Sequence, residues 1–249
     1  MTYELRGLTV GYGKGKHTHV VARDIQATLS SGSLVCLVGR NGVGKSTLLR
    51  TLAFFHPPLA GDVFLDGRPL SAYSHQALAE TVSVVLTERG DLDNLTVSDV
   101  VGMGRTPYTN FFGTLRDDDR RIVADAIEAV GLTSLAGKKM SCISDGERQK
   151  VMIAKALAQQ TPIIILDEPT AFLDYPSKAA ILNLLRRLAH EHDKLVLLST
   201  HDLDVAVRIA DDIWLMDDQG LTPHATTADL LALDFKDTGL GPPRHPRSS

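Results

Sequence analysis

Eight consecutive residues, Gly39-Arg40-Asn41-Gly42-Val43-Gly44-Lys45-Ser46, follow the apolar run Leu34 to Val38 and precede Thr47-Leu48-Leu49-Arg50. The spacing is that of GxxxxGK[ST] between a strand and a helix, the setting that gives this motif its meaning. Glycines permit a tight loop whose successive backbone N–H groups point inward at phosphate oxygens, and a helix N-terminus adds favourable potential for an anion. Arg40, Asn41, Val43 and Thr47 belong to the same cradle through their backbone. Lys45 is expected to reach the β- and γ-phosphates, and the Ser46 hydroxyl to ligate Mg²⁺. A Gly-rich turn that matched by accident would not need the flanking strand and helix that both read clearly here.

A second run, Ile163-Ile164-Ile165-Leu166-Asp167-Glu168, reads as a buried strand ending in two adjacent carboxylates. Alternation along a strand sends neighbouring side chains to opposite faces, so the two acids are expected to have different tasks. In P-loop NTPases the carboxylate at such a strand end holds the Mg²⁺ shell. That role falls to Asp167, which leaves Glu168 to polarise an attacking water. Alone, the pair could simply cap a strand before the Pro169 turn; the phosphate loop upstream favours chemistry.

Short apolar runs bounded by turn signals recur along the chain: Leu34 to Val38, Val82 to Leu86, Ile163 to Leu166, Leu195 to Leu198 and Ile213 to Met216. Runs without polar alternation suit strands covered on both faces, as in a mostly parallel sheet flanked by helices. Leu5, Leu8 and Val10, with Val63 to Leu65 leading into the hairpin signal Asp66-Gly67, suit a small antiparallel side sheet. Between Glu88 and Gln160 such runs stop. Asp119 to Val130 and Glu147 to Gln159 instead space their apolar residues at helical intervals, so this stretch reads as a helical insertion. Asp117, Asp118 and Asp119 are expected as solvated residues at a helix start.

The expectation is therefore an α/β chain. Residues 1–86 form the first part of a P-loop NTPase core with its antiparallel side sheet, 87–160 a helical subdomain, 161–233 the second part of the core, and 234–249 a loose Gly-, Pro- and Arg-rich tail. No internal repeat is evident.

Composition excludes several classes. A formal net charge of -4 and no basic stripe argue against a nucleic-acid partner. Cys36 and Cys142 stand far apart, which fits neither a CxxC metal site nor a disulfide framework and suits a reducing cytosol. His17, His19, His190 and His192 form HxH pairs without Cys or carboxylate partners at ligand spacing, and read as exposed-loop residues. Met1 to Val10 carries no basic stretch followed by an apolar one, and no run approaches the ~20 apolar residues of a membrane helix. A membrane role is thus expected to go through a partner.

Three further elements, in order, make the chain resemble the ABC ATPase family. Ile143-Ser144-Asp145-Gly146-Glu147 stands where the family carries its LSGGQ signature; Ser144 and Gly146 match, whereas Asp145 and Glu147 depart. Ala171-Phe172-Leu173-Asp174 resembles the D-loop, with Asp174 its namesake. Ser199-Thr200-His201-Asp202, after the run Leu195 to Leu198, resembles the switch loop whose His contacts the γ-phosphate. Tyr12, within Gly11-Tyr12-Gly13, is similar to the aromatic that stacks on adenine. The family's Gln after the Val82 to Leu86 run is absent: Thr87 stands in its place, with Glu88 next, so Mg²⁺ contact there rests on a shorter or a charged side chain.

The resemblance spans about Tyr3 to Met216 and implies an ATPase using ATP and Mg²⁺. It further implies two copies closing head to tail, with Ser144, Asp145 and Gly146 of one facing the ATP held by Lys45 of the other. Lys45, Glu168 and His201 are the implied catalytic groups, and the segment from Thr87 to about Thr114 the implied link to a separate integral-membrane permease. Leu95 to Tyr108 resembles the corresponding stretch of importers for iron-siderophore, haem and cobalamin, prokaryotic systems with a separate ATPase polypeptide at the cytoplasmic membrane face and a substrate-binding protein beyond the permease. The rival readings are a DNA-repair or translation ATPase and an exporter subunit. Against the first, the interval from Thr47 to Ile143 holds no sustained heptads and the chain carries one cassette.

Overall fold

The computed structural model describes residues 1–13, 15–86, 92–110, 113–226 and 228–230. Thr87, Glu88 and the tail 234–249 lie outside them. A six-stranded sheet runs through the centre in the order β10-β9-β3-β8-β7-β6. Its members are β3 (Leu34–Gly39), β6 (Val82–Val85), β7 (Ile163–Leu166), β8 (Leu195–Thr200), β9 (Asp212–Asp217) and β10 (Gly220–Thr222). All pairings are parallel except β10 on β9. A second, antiparallel sheet orders β2-β1-β4-β5, from β1 (Thr2–Tyr12), β2 (His19–Ser30), β4 (Ala60–Leu65) and β5 (Arg68–Pro69). Asp66 and Gly67 turn β4 into β5 with φ of 48° and 78°, the left-handed pair that a tight hairpin needs.

Parallel strands must be covered on both sides, and the burial divides accordingly. Leu34, Cys36, Val38, Ile164, Leu166, Val196 and Leu198 join one core with the helices α3 (Val97–Gly102), α4 (Asp117–Ala129), α5 (Asp145–Ala158) and α6 (Tyr175–Glu191). The alternate residues Val35, Leu37, Ile163, Ile165, Leu195 and Leu197 join another with α1 (Lys45–Leu52) and the antiparallel sheet. Each such fully buried aliphatic side chain contributes roughly 1.5–3 kcal/mol. Two short helices, α2 (His75–Ala79) and α7 (Leu203–Ile209), complete the set.

Among the described residues, the stretch between β6 and β7 holds no strand, as the helical spacing implied. It does not have a core of its own: Val100, Val123, Ile127 and Val151 pack into the same cluster as β3, β7 and β8. Of the three aspartates at the start of α4, Asp117 and Asp118 are exposed, but Asp119 is buried and bonded, contrary to the reading of all three as solvated. The histidine reading also needs revision. His190 lies within α6 and His19 opens β2, whereas His17 and His192, the latter exposed in the bend just after α6, belong to connecting segments.

Because β3, β8 and β7 are adjacent and parallel, their C-terminal ends lie side by side. Gly39, Thr200 and Leu166 end those strands, which brings the phosphate loop beside two motifs that follow it by more than a hundred residues. Ligands of open parallel sheets bind at this edge.

Candidate functional site

Two glycines of the loop from Gly39 to Gly44 sit where a side chain would not fit. A Cβ on Gly44, which sits at φ 115°, would run into the Val21 side chain, and one on Gly39 would meet the Met216 carbonyl. Helix α1 then begins at Lys45 with no side chain capping its N-terminus. Its first N–H groups therefore lack intrahelical partners and suit an anion.

Lys45 is 5% exposed and bridges the loop's beginning: Nζ donates to the Gly39 carbonyl at 2.7 Å and the Arg40 carbonyl at 3.1 Å. It also stands 3.6 Å from Glu168 Oε1. Burial lowers its pKa, opposed by the negative charges of Glu168 and Asp167. A desolvated ammonium gains from any further anion brought beside it, and the phosphates of a nucleotide would supply one.

The two carboxylates do not obey the alternation expected of them. Strand β7 ends at Leu166, and Glu168 adopts φ 48°, a left-handed conformation unusual for a residue with a side chain. The turn sends both acids to the same pocket. Asp167 is 1% exposed and its Oδ1 accepts a hydrogen bond from Ser199 Oγ at 2.6 Å. Glu168 reaches Lys45 with Oε1 and His201 with Oε2, the latter 3.0 Å from His201 Nδ1. Lys45, Glu168 and His201 thus form one continuous chain of polar contacts across the ends of three strands.

A cavity of about 470 Å³ opens above this chain. Asn41, Gly42, Val43, Gly44, Lys45, Ser46, Thr47, Asp167 and Glu168 line it, and Tyr12 stands at its mouth, 58% exposed. His19 and Val21 line it too, which the sequence reading missed. The His19 ring lies 4.9 Å from that of Tyr12, tilted by 38°. Their proximity follows from the β1–β2 pairing of Tyr12 with His19, which no motif announces. Gly39 and Arg40 sit beneath as acceptors for Lys45. A cavity of about 580 Å³ lies elsewhere, among α3, α4 and the turn after Gly102, and holds neither a glycine loop nor facing carboxylates. The residues of the smaller cavity fit a nucleotide and a divalent cation: a cradle of backbone donors, a buried cation, an aromatic face, and the Ser46 hydroxyl with the Asp167 carboxylate as oxygen donors.

A protein-family model described as ABC transporter matches residues 22–171, which carry the phosphate loop, the signature stretch and the paired acids in that order. The chain belongs to the ABC transporter family. It is 44% identical over 84% of its length to an ABC transporter ATP-binding protein of Methanocaldococcus jannaschii, covering 71% of that relative. It is 37% identical to the iron(3+)-hydroxamate import ATP-binding protein of Bacillus subtilis, over 82% of this chain and 74% of the other. With the cobalamin import ATP-binding protein of Halobacterium salinarum it shares 38% identity, over 88% of this chain and 53% of that one. Among solved structures, a chain classed with metal-chelate type ABC transporters superposes with a TM-score of 0.80 at 28% identity, covering 94% and 88% of the two chains. A dimeric ATP-binding cassette holding ADP and Pi gives 0.78 at 26% identity, covering 90% and 99%.

The remaining ABC motif residues lie apart from the cavity. Ser144 caps α5 in a reciprocal box: its Oγ accepts from the Glu147 N–H at 3.3 Å, while the Glu147 carboxylate accepts from the Ser144 N–H at 2.7 Å and its hydroxyl at 2.8 Å. Those bonds hold the Glu147 pKa below its ordinary value. Ser144 and Asp145 are exposed. Gly146 packs toward the Phe172 carbonyl, where a Cβ would come within 3.1 Å. Asp174 caps α6, accepting from the Ser177 N–H at 3.0 Å. Signature and D-loop therefore neighbour each other, and neither lines the cavity that holds Lys45. No helix among the described residues is long and apolar enough to cross a membrane.

Proposed function

We propose that this chain is the ATP-hydrolysing subunit of an importer for iron complexes, siderophore or haem, or for cobalamin. It works as a head-to-tail homodimer against the cytoplasmic side of a separate membrane permease that is served by a substrate-binding protein. The observation that carries the ATPase reading is the contact chain Lys45–Glu168–His201, whose first two members line the cavity. The separation of Ser144 and Gly146 from that cavity supports the dimer: one copy holds the phosphates and the other supplies the signature. The names of the iron-hydroxamate and cobalamin relatives support the cargo class.

In this reading Lys45 and the N–H groups of the loop bind the β- and γ-phosphates, and Tyr12 stacks on the base through its ring face. Bound Mg²⁺ neutralises charge that builds on the phosphate oxygens. Ser46 and Asp167 would hold that ion; Thr87, outside the described residues, is the third oxygen assigned to it. Glu168 accepts a proton from the attacking water, and His201, whose Nδ1 stands 3.0 Å from Glu168 Oε2, contacts the γ-phosphate beside it. Ser144, Asp145 and Gly146 of the second copy, with its Asp174 nearby, complete the enclosure. Positioning and electrostatic stabilisation supply most of the rate. The helical stretch within 87–160 passes closure of the dimer to the permease.

Glu168→Gln tests this directly. General-base catalysis is worth about 10²–10⁴-fold, so turnover should fall at least a hundredfold while ATP binding survives. Size-exclusion chromatography with ATP should then reveal a long-lived dimer. Near-normal steady-state hydrolysis by the variant would remove Glu168 from its role.

A further inference from the structure

Ser199 opens the switch-loop stretch without a role of its own there, yet its hydroxyl touches both acids at once. It is fully buried on β8, one step beyond the Leu198 that pairs with Leu166 on β7. The hydroxyl has a single proton, which it donates to Asp167 Oδ1 at 2.6 Å. The same oxygen accepts the backbone N–H of Glu168 at 2.9 Å. That N–H belongs to a residue held at φ 48°, a conformation of higher energy that persists only where its surroundings fix it.

We propose that Ser199 is a positioning residue for hydrolysis: one buried hydroxyl fixes the Asp167 carboxylate and holds the Glu168 backbone in its left-handed turn. The consequence is geometric. With Asp167 oriented, a divalent cation finds its carboxylate ready. With the Glu168 turn locked, the side chain stays between Lys45 Nζ at 3.6 Å and His201 Nδ1 at 3.0 Å instead of swinging toward solvent. An ordinary buried serine would need only one satisfied hydrogen bond to be accommodated. Here both bonds go to consecutive residues of the site, and Ser199 reads the position of each into the other. Neighbouring Thr200 does not share the task, since its hydroxyl accepts from the Asp202 N–H at 3.1 Å.

The inference rests on the roles given above to Asp167 and Glu168, and its test separates the two. Purified full chains, unaltered, Ser199→Ala and Ser199→Thr, are compared in steady-state ATP hydrolysis and in binding of a fluorescent non-hydrolysable ATP analogue across a Mg²⁺ titration. Ser199→Ala should lower kcat roughly tenfold or more, the order expected for loss of a hydrogen bond to a charged group. Its KM for ATP should stay within about twofold, because the phosphate loop is untouched, and half-saturating Mg²⁺ should rise several-fold. Ser199→Thr keeps the hydroxyl and should restore both quantities to within about threefold of the unaltered chain. If the extra methyl prevents folding, Ser199→Ala is repeated on an Asp167→Asn background, where the Mg²⁺ requirement should not rise again. Overturning results are an unchanged kcat and Mg²⁺ requirement in Ser199→Ala, or an additive rise on the Asp167→Asn background. Absence of Mg²⁺-dependent binding by the unaltered chain would overturn the underlying roles together with this one.

Discussion

Among the described residues two cations are buried, and they are satisfied in opposite ways. Arg105, 6% exposed, donates from Nε to Asp119 Oδ1 at 2.9 Å and from Nη1 to the Ala158 carbonyl at 2.9 Å and Gln160 Oε1 at 3.1 Å. Its guanidinium also covers the Tyr108 ring at 4.1 Å, and Tyr108 donates its hydroxyl to the Gln159 carbonyl. Asp119 in turn accepts the Arg116 N–H at the start of α4, and these bonds hold its pKa below the ordinary value. Every partner is internal, so this node clamps the turn after Gly102, the start of α4 and the end of α5 together. Lys45 has carbonyls and one carboxylate around it too, but the cavity above it is open. One cation is enclosed by its partners; the other faces an open cavity. Burial alone does not mark a functional charge, whereas burial beside an open, donor-lined cavity does.

Replacing each cation should therefore damage a different property. The largest stability effect is expected at Arg105→Met, which leaves Asp119 buried without its counter-charge and should cost about 3 kcal/mol, the lower end of the range for breaking a buried pair. Denaturant unfolding measures the loss, and nucleotide affinity per folded molecule should stay unchanged. A variant that kept full stability would place Arg105 with Lys45 as a charge waiting for a partner. A smaller effect, about 1 kcal/mol, is expected for Thr96→Ala. Thr96 caps α3 in a reciprocal box with Asp99, accepting the Asp99 N–H at 3.1 Å while Asp99 Oδ2 accepts the Thr96 hydroxyl at 2.6 Å. The same unfolding measurement should find the loss, again with nucleotide binding intact.

How legible each region was in sequence follows the same division. The phosphate loop could be read directly because its chemistry is local: glycine backbone, one lysine and one hydroxyl within eight residues. The central strands were legible because burial on both faces keeps charged residues out of β3, β6, β7 and β8. The Asp66-Gly67 hairpin was visible for the same local reason. Ser199 and His19 were not, since each gains its role from a cross-strand neighbour, Asp167 and Tyr12 respectively, and strand order is a property of the whole chain. Glu168 was assigned on an alternation that stops at Leu166, so its left-handed turn could not be foreseen. Asp119 looked like one of three solvated cap residues because its partner, Arg105, lies fourteen positions away in a turn that carries no motif.

The central claim is that a glycine-lined loop and one desolvated ammonium grip nucleotide phosphates. Equilibrium binding of ATP with and without Mg²⁺, measured for the unaltered chain and for Lys45→Ala under identical conditions, addresses it most directly. The account predicts Mg²⁺-dependent binding that weakens at least a hundredfold in the variant, the loss of one strong charge-assisted contact worth about 3 kcal/mol, with thermal stability retained. Equal affinity in the two proteins would contradict it.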